Sequence, residues 1–253
     1  YDPGEISNFT TPETNEKMML KLNANISDIH RAVVTVQRDE DLYPRKYNRG
    51  STVFSNNWYA KPPVIDRESF TLYSDWNDRL STKIRYSHYQ LTEDDASLGD
   101  PFMPEVNIEV CDGGDCDNVY LGGDRYRGAN YIDIDSDFLS FKATYDLGDH
   151  VLSAGIDRDE SAVYNLFIAR YNGEVQFDSI ADFEAGTYSY LRFHTPQTGI
   201  ADVDSVAANF DIEKTSMYVQ DRIYMGDLTL DIGLRYDQVE TPTAPVANPK
   251  FQE

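Results

Sequence analysis

Four histidines, His30, His88, His150 and His194, are the residues best suited to metal or acid–base chemistry, and they stand far apart with no ligand spacing among them. The chain has no Gly-x-Ser-x-Gly elbow, no Gly-x-x-x-x-Gly-Lys phosphate loop and no dinucleotide fingerprint, so nucleophilic catalysis and nucleotide chemistry lack support. Carboxylates are abundant, 44 Asp and Glu against 22 Lys and Arg, and in so acidic a chain a glycosidase-like pair arises by composition alone. The protein is therefore expected not to be an enzyme. Asp133, Asp135 and Asp137 have the opening spacing of a calcium loop, but Phe138 stands where the sharp turn needs Gly and Thr144 where a bidentate Glu closes the shell. Asp112, Asp115 and Asp117 form a looser set of calcium candidates, and apart from them no metal or cofactor is expected. They surround two cysteines in Val110-Cys-Asp-Gly-Gly-Asp-Cys-Asp117, where the glycines let the chain turn tightly enough to join Cys111 to Cys116. One small disulfide in an oxidising compartment is expected, because a zinc site needs a second Cys or His pair.

Binding chemistry is better represented. Trp58, Tyr59, Arg125, Tyr126 and Arg127 combine planar side chains with guanidinium groups, a combination suited to peptide-like ligands, glycans and anions. The net charge of −22 repels phosphates and argues against a nucleic-acid partner. A second group, Lys83, Arg85, Asp231, Arg235 and Asp237, sits in runs that alternate strictly with apolar residues. Over residues 228–237, Leu228, Leu230, Ile232, Leu234 and Tyr236 fall on one face of a strand and Thr229, Asp231, Gly233, Arg235 and Asp237 on the other. One face suits hydrocarbon and the other water. No run approaches the eighteen or so apolar residues of a transmembrane helix, so only a barrel could place this chain in a bilayer, where every backbone amide must be satisfied internally.

The elements that carry these residues repeat in a rhythm. A first hairpin covers residues 17–39 with a turn at Ser27-Asp28, and a second pairs residues 70–73 with 80–91. A third pairs 138–145 with 151–159 across Asp146-Leu147-Gly148-Asp149, and a fourth joins 216–223 to 228–237 across Tyr224-Met225-Gly226-Asp227. Long polar segments separate them, near 40–67, 92–137 and 160–213. Short turns alternating with long loops is the wiring of an outer-membrane β-barrel, with tight turns at the periplasmic end and long loops outside. Loops of this length are uncommon in compact soluble domains. The charged alternating positions are then expected to face a wet lumen, and the apolar ones the outer-membrane lipid.

The run Ser216-Met-Tyr-Val-Gln-Asp-Arg-Ile-Tyr-Met-Gly-Asp-Leu-Thr-Leu-Asp-Ile-Gly-Leu-Arg-Tyr-Asp237 resembles the barrel hairpin of TonB-dependent outer-membrane receptors. Val119-Tyr-Leu-Gly-Gly-Asp-Arg-Tyr-Arg-Gly-Ala-Asn130, Asn165-Leu-Phe-Ile-Ala-Arg170 and Phe177-Asp-Ser-Ile-Ala-Asp-Phe-Glu-Ala-Gly186 are similar to the Oar-like branch of that family. The resemblance implies an all-β, antiparallel transmembrane barrel of about twenty-two strands in the bacterial outer membrane. It also implies a plug domain inside that barrel and import of a ligand with energy passed through the TonB complex. About eight strands are visible in residues 1–253. The chain is therefore expected to be an internal barrel fragment whose plug domain and remaining strands lie elsewhere, with Pro249-Lys-Phe-Gln-Glu253 breaking off where the next external loop continues. Three rival readings are a small self-closed barrel with a structural or adhesive role, a secreted glycan-binding β-sandwich using Trp58 and Trp76 as platforms, and a secreted hydrolase.

Overall fold

The computed structural model of the protein describes residues 2–6, 10–46, 51–196 and 202–244, and the 249–253 segment lies outside them. The strands in chain order are β1 (Thr14–Asn25), β2 (His30–Arg45), β3 (Thr52–Val53), β4 (Tyr59–Lys61), β5 (Val64–Asp75), β6 (Leu80–Asp94), β7 (Ala96–Ser97) and β8 (Glu105–Asp112). They continue with β9 (Asp115–Gly122), β10 (Asn130–Asp146), β11 (His150–Phe167), β12 (Glu174–Phe177), β13 (Tyr190–Arg192), β14 (Ala208–Met225) and β15 (Leu228–Glu240), and helix α1 (Ile180–Ala185) precedes β13.

Eight long strands form one antiparallel meander in the order β1-β2-β5-β6-β10-β11-β14-β15, extended beside β2 by the short β4 and β7. The expected hairpins are present, and the short turns all lie at one end. Cross-strand register then decides what each face carries. Leu22, Val34, Phe70, Tyr86 and Leu139 occupy one row, and Ile156, Met217 and Tyr236 continue the same face. With Leu20, Ile232 and Leu234 these side chains form a belt that nothing among the described residues covers: Leu20 is 58% exposed, Leu139 54%, Ile232 54% and Leu234 78%. In water each such residue forgoes more than half of the roughly 1.5–3 kcal/mol that full burial contributes. Asp221 interrupts the belt close to a short turn and is paired there with His150 at 2.7 Å.

The long strands reach further than their apolar alternation. β6 continues to Asp94 and β10 begins at Asn130, so Asp133, Asp135 and Asp137 lie in a strand and not in a polar loop. Their spacing of two is the period of an extended strand. β11 likewise runs on to Phe167 and β14 begins at Ala208. Beyond the belt its face turns polar, with Asp133, Asp135 and Asp137, while Ile65, Leu91, Ile134, Val163 and Phe210 share a row on the opposite face, so the apolar alternation changes phase while the backbone ladder continues.

The long connections are themselves folded. A five-stranded sheet takes β3 from the β2–β5 connection, β8 and β9 from the β6–β10 connection, and β12 and β13 from the β11–β14 connection, in the order β13-β12-β8-β9-β3. Two of its pairings, β12 with β8 and β3 with β9, are parallel, as contacts between separate connections permit. Val106, Ile108, Leu121 and Phe177 form its core, with Phe54, Val110, Val119 and Val175 packed around them. The hairpin of β8 and β9 turns through Gly113 and Gly114, both at positive φ (59° and 100°), as a two-residue hairpin turn requires. That register sets Cys111 directly opposite Cys116, and the two form the expected disulfide.

Candidate functional site

Three connections converge on a buried ionic cluster at the start of β8 and β12. Parallel pairing places Glu105 beside Glu174, and each carboxylate is almost completely buried, at 1% exposure. Two such neighbours repel unless cations lie between them. Arg125, from the segment after β9, approaches Glu105 at 3.7 Å through Nε and donates from Nη1 to Glu174. Arg170, from the segment after β11, donates to the other Glu174 oxygen. The Arg125 backbone N–H donates to Glu105 at 3.3 Å, and the Asn57 amide donates to Glu105 at 3.5 Å and to the Gly123 carbonyl at 2.9 Å. Burial alone would push the Glu174 carboxyl up, but the hydrogen bond from Arg170 and the charge of Arg125 outweigh it and hold the group below the usual carboxylate range.

A second ion pair sits alongside. Arg127 meets Asp95 at 3.0 Å while its guanidinium lies 4.0 Å above the Tyr59 ring. Burial pushes the Asp95 carboxyl up to about 6, against the opposing pull of Arg127. The Asn130 amide donates to the same carboxylate at 3.3 Å. Trp58 is half-buried, and its carbonyl accepts from Leu98 N–H at 2.7 Å. Tyr126 stacks on Phe167 with 6.3 Å between ring centroids. The five loop residues singled out from the sequence are thus near one another around the loop sheet, with both arginines engaged by buried carboxylates.

The second set lies on the polar face of the meander. Arg235 contacts Asp237 at 3.0 Å and Asp157 at 3.4 Å, and Asp231 pairs with Arg222 at 2.8 Å. Lys83 lies 5.5 Å from the Tyr73 ring centroid and Arg85 6.0 Å from that of Phe138. Asp112, Asp115 and Asp117 are exposed at the tip of the β8–β9 hairpin and share one of its faces. Among the described residues, the ligand atoms that converge within 4.8 Å in groups of three are those of Glu109 with the disulfide-bonded Cys111 and Cys116 in the same hairpin, and of His88 with Asp135 and Asp137 in the meander. The His88 ring lies 3.2 Å from Asp137 and 3.6 Å from Asp135, and the Tyr86 hydroxyl donates to Asp137 at 2.5 Å. Sequence spacing does not reveal this group, because His88 and Asp137 meet only through the β6–β10 register. Glu105 and Glu174 also escape notice, although each opens a short alternating run, Val106/Ile108/Val110 and Val175/Phe177.

An antiparallel meander with one uncovered apolar face, one charged face, short turns at one end and folded connections at the other is the wall type of a membrane β-barrel. No helix among the described residues is long and apolar enough to cross a membrane, which leaves crossing by strands open. Residues 20–251 match the family model described as TonB dependent receptor-like, beta-barrel, and the chain belongs to that family. No curated protein matches it. Among solved structures it is similar to the outer membrane transporter YddB from Escherichia coli, with TM-score 0.62 and 12% identity over 90% of this chain and 27% of that one. It is also similar to P. aeruginosa FpvA in complex with pyoverdine and iron (TM-score 0.57, 11% identity, 92% of this chain and 31% of that one). The FrpB iron transporter from Neisseria meningitidis gives TM-score 0.52 and 15% identity over 91% of this chain and 31% of that one. The chain spans under a third of the length of each.

Proposed function

We propose that this chain is a wall segment of a TonB-dependent receptor of the Oar-like branch, which binds a ligand at the cell surface and imports it through a plugged barrel of about twenty-two strands. The observation that carries the reading is the uncovered apolar belt. The five-stranded sheet closes over its own core and leaves Leu230, Ile232 and Leu234 open, so acyl chains are the solvent that suits them. Among the described residues, strands β1 and β15 each pair on one side and not with each other, and such long bare edges call for further strands. This favours a larger barrel over a self-closed one.

In this reading Lys83, Arg85, Asp231, Arg235 and Asp237 line the bore. Trp58, Tyr59, Arg125, Tyr126 and Arg127 hold and edge the loop sheet against which a peptide-like molecule or glycan is first caught. No covalent chemistry is involved, and coupling to the TonB complex runs through the plug. The test is single-cysteine labelling in intact cells. A cysteine at Leu234 reacts with a lipid-soluble maleimide and resists a water-soluble one, while a cysteine at Gly233 shows the reverse. Equal aqueous labelling at both positions refutes the membrane assignment.

A further inference from the structure

On the face that carries the apolar belt, a band of charged residues follows directly above it, and the cations in that band are unevenly placed. Glu68, His88, Asp137, Glu160, Glu213 and Glu240 occupy one register row across β5, β6, β10, β11, β14 and β15, and the row beneath runs through Tyr86 and Leu139 to Arg158. Arg158 answers Glu160 at 2.5 Å and Glu213 at 2.6 Å, while Arg38 on β2 answers Glu40 at 2.5 Å and Asp66 at 2.7 Å. Between those two arginines, among the described residues, no Lys or Arg pairs with Glu68, Asp133, Asp135 or Asp137. Like charges set opposite one another on a sheet repel, and Asp137 faces Glu160 across the β10–β11 ladder. The group that stands in this gap is an imidazole, with Asp137 3.2 Å from one ring nitrogen of His88 and Asp135 3.6 Å from the other.

The geometry points to a binding site for a zinc-class divalent cation, formed by His88, Asp135 and Asp137. One ring nitrogen and one oxygen of each carboxylate lie within 4.8 Å of one another. Ligands around tetrahedral zinc sit roughly 3.4 Å apart, given bonds of about 2.1 Å, so small rotations of three partly exposed side chains close the set. The backbone already fixes their placement, because β6 and β10 hold His88 and Asp137 as direct partners and Asp135 follows on the same face. The Tyr86 hydroxyl donates to Asp137 at 2.5 Å and orients it, as hydrogen-bond partners of ligating carboxylates do. An all-oxygen set suits calcium or magnesium, whereas the imidazole nitrogen selects a softer ion such as zinc. Zinc binds the neutral ring, so it displaces any proton there and leaves two positive charges amid Glu68, Asp135, Asp137 and Glu160. In the wall reading this face lies opposite the bore-lining Lys83 and Arg85, which makes the ion a clamp between β6 and β10 at the upper edge of the belt and not imported cargo.

Diethyl pyrocarbonate modifies unprotonated imidazole nitrogens, so it reads occupancy of His88 directly. The full-length receptor in detergent is stripped with a chelator and treated with the reagent, and the modified histidines are mapped by mass spectrometry. With free zinc at about ten times its dissociation constant roughly one site in eleven is open, so the expected result is that micromolar zinc slows modification of His88 about tenfold. His30, outside the cluster, keeps its rate, and millimolar magnesium does not reproduce the effect. Asp135→Asn and Asp137→Asn each abolish the protection, and the measurement on the unaltered protein stands even where a variant fails to fold. A His88 rate unchanged by zinc overturns the inference. So does equal protection by magnesium, because the band is then a diffuse counterion layer, and so does protection that survives in a folded Asp137→Asn. The Leu234 and Gly233 labelling pattern is a separate outcome that reports on the wall reading, whereas zinc protection reports on the site.

Discussion

Replacing Arg125 with Met isolates the energetic role of the ionic cluster. Methionine keeps most of the aliphatic stem and removes the charge from between two carboxylates that are each 1% exposed. Breaking a buried pair by deleting one partner costs about 3–5 kcal/mol, because the surviving charge is left uncompensated. Glu174 keeps Arg170, and Glu105 loses the Arg125 guanidinium but keeps the backbone N–H of position 125 and the Asn57 amide, so the lower end of that range applies. About 3 kcal/mol corresponds to a roughly hundredfold larger opening equilibrium for the loop sheet. Hydrogen exchange in detergent micelles reads it locally: amides of β8 and β12 lose protection by about that factor, whereas β14 and β15, which share no contact with the cluster, are unchanged. Arg125→Met combined with Glu105→Gln recovers much of the loss, since the group that lost its cation is then neutral. Unaltered exchange in Arg125→Met, or loss that spreads evenly through the wall, refutes the argument.

Three further outcomes follow from the geometry. The Asp95 carboxyl, raised to about 6, holds its proton more tightly in the folded loops than in an unfolded chain, so the stability it contributes is present at low pH and is lost as pH rises through 6. The loop sheet is accordingly more resistant to protease at pH 5 than at pH 7.5, by about 1.4 kcal/mol, and Asp95→Asn flattens that dependence. Replacing Cys111 and Cys116 with Ser frees a hairpin whose cysteines are five residues apart, a loss of about 2 kcal/mol, detected as faster cleavage at the β8–β9 tip with the wall unchanged. At Gly155 an added Cβ would fall 2.5 Å from the outer atoms of the Tyr218 ring, so Gly155→Ala forces the ring aside and lowers the melting temperature for a cost of about 1–3 kcal/mol.

The wall was legible because lipid imposes a rule on every second residue. Leu228, Leu230, Ile232 and Leu234 announce their strand with no help from the rest of the chain, and the turns at Gly148 and Gly226 mark its neighbours. The loop sheet obeys the same period in Val106, Ile108 and Val110, but the runs are short and are surrounded by Asp, Gly and Pro. Besides the adjacent β9, β8 pairs with β12, about seventy residues away, and pairing at that separation leaves no local trace. The same holds for the chemistry. Arg125 and Arg127 stand out as guanidinium groups beside aromatics, yet Arg125 meets Glu174 only where two separate connections cross, and Arg127 meets Asp95 only through the fold of its own connection. Local alternation reports which solvent a face meets, while ion pairing reports tertiary register.

Along each long strand the outward face changes partners in a fixed order. Nearest the short turns it is apolar, and above Tyr86 and Leu139 it becomes a band of exposed charges. Arg38 lies 2.7 Å from Asp66, Arg158 lies 2.6 Å from Glu213, and His88 stands beside Asp137. The backbone ladder passes through this change without a break, since hydrogen bonding between strands is indifferent to what the side chains meet. The outer limit of the hydrocarbon is therefore set by side chains and not by where the strands end. Exposed pairs of this kind contribute about 0–1 kcal/mol each, too little to hold the wall together. What they do is make burial in hydrocarbon costly, which fixes the depth at which the belt can sit and leaves the loop sheet, with its own core and ionic cluster, clear of the bilayer.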